Sequence, residues 1–199
     1  MKKVYAAAVI GLALMSLNPQ SVRASNPKSI ALTMTISNQL SVALTLEAGR
    51  EALGAKALGD TFSMSVPISV DNDSSGGSTG YVETYQLSAS NDQWSLSTDG
   101  IADAANEMVL MAVFSAADAA AAPANGEFGT GDIITAGGAT TASGTIYYGA
   151  LADTAKNGVS VAPAANHERT LWLRFLLPSV SNVISGNVTT TLYVNAISG

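Results

Sequence analysis

The chain has one histidine, His167, and no cysteine, and this bounds the reactions its 199 residues can run. A Ser–His–Asp relay needs an imidazole to take the serine proton. His167 sits in the polar run Asn166-His167-Glu168-Arg169, which reads as an exposed connection. Zinc sites draw on several His and Cys ligands, and one imidazole cannot supply them. Neither a GxSxG elbow nor an HExxH motif occurs. Asp71 with Asp73 and Glu127 with Asp132 are the residue type that glycoside hydrolysis uses, but both pairs fall in Gly-rich turns, where acids serve the local backbone. The run Asp71-Asn72-Asp73-Ser74-Ser75-Gly76 opens like a calcium loop, with oxygen ligands at alternate positions and glycine sixth. Its twelfth position is Val82, and Glu83 comes one residue late. Asp71, Asp73 and Glu83 are therefore candidates for a looser calcium site. No other cofactor is expected, and the chain is not expected to be an enzyme.

The aromatic residues divide by strand phase. Trp94 and Tyr85 occupy apolar phases and are expected in the core, Trp94 as an anchor between two sheets. Trp172 and Tyr193 fall on polar phases and are expected as surface contacts. Asn187-Val188-Thr189 and Asn72-Asp73-Ser74 match the glycosylation sequon, a pattern short enough to arise by chance.

Period-two alternation supplies the elements that would position these residues. Ile30, Leu32, Met34 and Ile36 alternate with polar residues, and the phase resumes at Leu40, Val42, Leu44 and Leu46, which predicts one long strand kinked at Asn38 in preference to two. Residues 47–60 read as a loop or a helical turn. Phe62 to Val70 forms the cleanest strand, with Pro67 requiring an edge or a bulge because it has no N–H to donate. Further strands are predicted around Tyr85 to Ala89, Trp94 to Leu96, 107–115, Thr145 to Tyr148, Leu171 to Leu177 and Val188 to Ala196. The segment 107–115 also has helix-forming residues, and its continuous apolar run suits a strand covered on both faces. Between residues 102 and 165 alanine fills 20 of 64 positions, which predicts long small-residue connections. Many strands without strand–helix alternation imply an all-β antiparallel β-sandwich with long Ala/Gly-rich loops, in one domain over 25–199.

The run VPISVDNDSSGGSTGYVETYQLSASNDQWSL resembles the immunoglobulin-like pattern of bacterial surface proteins, in which a strand ending Val-x-Asn precedes Tyr-x-Leu and Trp-x-Leu strands. The terminal run ISGNVTTTLYVNAIS is similar to the last strand of secreted subunits of the pilin and spore-coat type. The resemblance covers about a third of the mature chain. It implies a secreted immunoglobulin-like subunit and carries no catalytic residues across.

Lys2 and Lys3, the apolar stretch Val4 to Leu17 and the site Val22-Arg23-Ala24 read as a secretory signal peptide over 1–24, cleaved before Ser25. The apolar run is about 14 residues, short of the roughly 20 a spanning helix needs. Cleavage leaves 6 of the 9 bases against all 15 acids, a net charge of −9. Nucleic acid is thereby disfavoured as a partner, for want of a basic footprint. The expectation is an exported, non-enzymatic structural subunit of the cell surface that self-associates or binds other surface proteins. The alternative is an extracellular glycan- or ligand-binding module, with calcium as an accessory. Ser29 to Leu46 is expected as the first strand of its own sandwich, with addition to the edge of another copy as the alternative.

Overall fold

A computed structural model describes residues 40–74, 80–102, 104–116, 122–149, 157–163, 167–183 and 187–199. The expected signal peptide over 1–24 and the expected strand from Ser29 to Gln39 lie outside them. All of the described residues fall in one unit, Ser37–Gly199.

The fold is all-β. Nine strands are described: β1 (Val42–Thr45), β2 (Thr61–Ser63), β3 (Ile68–Asn72), β4 (Glu83–Asn91), β5 (Ser95–Leu96), β6 (Glu107–Ala116), β7 (Thr140–Thr141), β8 (Glu168–Leu176) and β9 (Thr190–Ser198). One sheet has the order β1-β3-β8-β6-β5, with β2 also on β8, and the other has the order β7-β4-β9. Every ladder is antiparallel except β5–β6, where Ser95 lies opposite Glu107 in a parallel pair. The short link between Leu96 and Glu107 therefore does not form a hairpin, which corrects the expectation of a purely antiparallel architecture.

Pro67 breaks the expected Phe62–Val70 strand in two. β2 runs along Arg174 to Leu176 of β8, and β3 runs along Glu168 to Leu171 of the same strand. Between them Met64 still donates to the Leu173 carbonyl at 2.9 Å, after which Pro67 has no N–H to continue the ladder. The expected strand at Thr145–Tyr148 is also replaced. The pairing falls at Thr140–Thr141, and Tyr148 contributes one bridge to Phe114. Of the long N-terminal alternation, Val42–Thr45 forms β1 against β3.

β6 is a strand buried on both faces. Met108, Leu110, Ala112 and Phe114 join the core between the sheets with Tyr85, Leu87, Leu171 and Leu173. Val109, Met111 and Val113 face the other way, into a second cluster closed by Phe128, Ile133 and Trp172. The Ala/Gly-rich connection forms this outer layer, through 3-10 turns at Asn125–Glu127 and Thr130–Asp132.

Trp172 is accordingly 2% exposed, and its Nε1–H donates to Ser115 Oγ at 3.1 Å. Expected at the surface, it is a core residue, because a connection of small residues packs close enough to cover the outer face of β8. The register holds a signal for this, since Trp172 pairs with Val113 and both point to the same side. Trp94 departs in the opposite direction. It is part-buried at one end of the core, with its Nε1–H on Ser181 Oγ at 2.9 Å. Tyr193 stands on the outer face of β9, 48% exposed, with its hydroxyl 3.4 Å from Ser90 Oγ.

Candidate functional site

The fold brings the three acids of the expected calcium site to one end of the sheets without arranging them as ligands. Asp71 lies on β3, and its carboxylate accepts from Ser69 Oγ at 3.2 Å. Asp73 follows the strand, and its N–H donates to the Ser41 carbonyl at 2.8 Å. Glu83 opens β4, fully buried, with Oε1 accepting the Ser41 N–H at 2.9 Å. Asn72 ties this end together: its Nδ2 donates to the carbonyls of Tyr81 and Val161, and its Oδ1 accepts from Ser74. The side-chain oxygen at the loop's second position is thus already engaged. Among the described residues no three acids or histidines converge as a metal shell.

His167 Nε2 lies 3.8 Å from Asp71 Oδ1, and Ser69 Oγ contacts the other oxygen of that carboxylate. The spatial order is Ser69, Asp71, His167, with the carboxylate in the middle. A serine relay requires the imidazole in that place, so this trio does not activate Ser69. Asp132 and Glu127 belong to the outer layer. Asp132 Oδ2 accepts the Gly129 N–H at 2.7 Å, closing a 3-10 turn, and burial pushes the Asp132 carboxyl above its ordinary range.

One opening lies between the two sheets. A groove of about 1080 Å³ runs from Trp94 and Thr190 past Leu192 to Ile68. Its volume is at the top of the range of about 300–1,000 Å³ for ligand pockets. Met64, Met108, Leu110, Leu173 and Phe175 form its floor, and Leu46, residues 50–56 and Leu58 form its outer wall. Phe62 stacks on Phe175 with ring centroids 5.1 Å apart, and Lys56 Nζ sits 4.7 Å over the Phe62 ring. The wall segment reads as a loop in sequence. The overlooked signal is its spaced leucines, of which Leu46 and Leu53 pack on the core.

The groove exists because one flank of the sandwich is incompletely covered. Tyr85, Leu87 and Ala89 of β4 pair with Ala196, Val194 and Leu192 of β9 and share their inward face. The three β4 residues are buried, whereas their β9 partners are only partly so. Among the described residues β9 pairs with β4 alone, and its other edge has no ladder. β6 has no such vacancy. Its edge away from β8 is met in turn by β5, Ile133 and Tyr148.

Comparison with protein-family models, curated proteins and solved structures finds no match for this chain.

Proposed function

We propose that this chain is an exported, non-enzymatic structural subunit with an immunoglobulin-like sandwich, which self-assembles on the cell surface by strand addition. In this reading residues 1–24 are removed and the segment Ile30–Ile36 of a second copy lies along the free edge of β9. The observation that carries it is the burial asymmetry between β4 and β9. Among the described residues an inward-facing row of apolar side chains is left half-covered beside an edge with no ladder, and one more strand would supply both hydrogen bonds and cover. The donor is argued from its pattern. Ile30, Leu32, Met34 and Ile36 alternate without a charge among them, and each would bury an aliphatic side chain, worth about 1.5–3 kcal/mol.

The polarity of the subunit supports chains over closed pairs. Ser41 is held at the Glu83 end, where Glu83 pairs with Ser198, while the groove is lined by the opposite end of β9, Asn187 to Leu192. Thr190 to Ser198 spans about 27 Å at about 3.4 Å per residue. Donor root and acceptor groove thus lie at opposite ends, which makes a head-to-tail contact that need not close.

Sedimentation velocity on the mature protein tests this, with Trp94 as the groove reporter in a Trp172→Phe background. The expected result is a concentration-dependent ladder of species with a blue shift of Trp94 emission on assembly. A single monomer at every concentration would overturn it. A second reading, a glycan-binding module, draws on exposed Tyr193 beside Asn195 and Gln86 on an outer face whose outward residues in β4 and β9 are uncharged. It moves ahead if the protein is monomeric and Tyr193→Ala abolishes polysaccharide binding.

A further inference from the structure

We propose that Glu83 is a proton-operated latch on the root of the N-terminal segment: its ionised carboxylate holds Ser41 at the start of β1, and protonation loosens that hold. Ser41 is gripped twice, its N–H by Glu83 Oε1 at 2.9 Å and its carbonyl by the Asp73 N–H at 2.8 Å. β1 itself is short, and among the described residues it pairs with β3 alone. Glu83 has no solvent exposure, and its Oε2 is buried with no hydrogen-bond partner among the described residues. The buried carboxylate therefore has little to hold it in place except Ser41.

The charged and titratable groups around it come from three elements. β3 and its continuation bring Asp71 and Asp73, with His167 beside Asp71. β8 brings the buried Arg169, whose guanidinium donates to the carbonyls of Asn157 and Glu168 at 2.8 Å each. β4 itself brings Tyr85, whose hydroxyl is buried with no hydrogen-bond partner among the described residues and is pushed upward by burial and then by Glu83. The side chains of Ser41, of β1 and of the facing Ser198 in β9 carry no charge.

Burial raises the Glu83 carboxyl above its ordinary value, the Ser41 N–H pulls it down, and Asp73 pushes it up again. Two pH effects of opposite sign follow. Because the Ser41 bond favours the ionised form, ionisation must strengthen that bond, by reciprocity. Because the folded-state value is raised overall, protonated Glu83 stabilises the fold. That contribution is fully present below the ordinary value of 4.5 and is lost as pH rises through the raised folded value. Acidification therefore frees β1 while tightening the rest. Releasing Ser41 to Thr45 would lengthen the N-terminal arm by about 17 Å and bare the edge of β3.

Amide exchange on the full mature chain, at a concentration where it is monomeric and corrected for intrinsic rates, tests this without relying on assembly. Protection of Ser41–Thr45 is expected to fall about five-fold between neutral pH and the acid side of the Glu83 midpoint, the difference between a charge-assisted and a neutral hydrogen bond. Protection in β4 and β6 should not fall. Glu83→Gln retains an acceptor for Ser41 without the charge and should show the acid-form protection at every pH. An unchanged β1 protection ratio, or a Glu83→Gln protein that keeps the wild-type response, overturns the latch. Should that variant fail to fold, carboxyl NMR of the wild type decides. The Glu83 titration and the Ser41 amide change must share one midpoint, and separate midpoints refute the proposal.

Discussion

Removal of residues 25–37 from the mature chain is expected to abolish every species larger than the monomer while leaving the monomer folded. The truncation spares β1 and both hydrogen bonds that hold Ser41, so the sheet order β1-β3-β8-β6-β5 has all its strands. It takes away the alternating Ile30, Leu32, Met34 and Ile36, the only apolar row assigned to the β9 edge. A synthetic peptide of residues 28–38 should then bind the truncated protein one to one and shift Trp94 emission, since Trp94 lines the groove. Met34→Lys in that peptide would carry an ammonium among Met108, Leu110 and Phe175. An unpaired charge there should weaken binding at least about 100-fold, equivalent to about 2.7 kcal/mol. Continued assembly of the truncated chain would show that the arm is not the donor. A truncated chain that unfolds would show that the arm belongs to its own sheet.

Trp172→Ala should cost about 3–5 kcal/mol in denaturant melts, the usual range for emptying a buried aromatic site. The ring closes the outer cluster against Val109, Met111, Val113, Phe128 and Ile133, and its loss also leaves Ser115 Oγ without the indole donor. Tyr193→Ala is the contrasting measurement. Its ring stands exposed on β9, and surface changes of that kind fall within about 0.5 kcal/mol. A loss below about 1 kcal/mol for Trp172→Ala would place the ring at the surface. The pair therefore tests whether the Ala/Gly-rich connection is a packed layer or a loose loop.

β4 and β9 were legible because a strand with one face toward the core writes its period into neighbouring residues, and no distant contact is needed to read Tyr85, Leu87 and Ala89. At Pro67 the missing N–H announced an edge or a bulge, and the structure goes further by dividing the expected strand into β2 and β3. β6 could be read as a strand covered on both faces from its unbroken apolar run Val109 to Phe114. The fate of Trp172 could not, because polar phase predicts exposure only if nothing lies over that face. What covers it is a connection some forty residues away in sequence, poor in the large side chains that announce a core. Calcium-like spacing at Asp71 and Asp73 was equally local, whereas the partners of the neighbouring side chains were not. Asn72 spends its side chain on Tyr81 and Val161, and Glu83 turns inward to Ser41.

By itself, then, the sequence determined the all-β class, the phase of the main strands and the lack of residues for thiolate or polyhistidine chemistry, since these follow from residue type and nearest-neighbour alternation. Only the tertiary structure decided which faces are covered, that among the described residues β9 pairs with β4 alone beside a groove, and that a buried carboxylate holds the start of β1. Each of these depends on which distant segments meet, and burial and hydrogen-bond partnership are properties of the meeting.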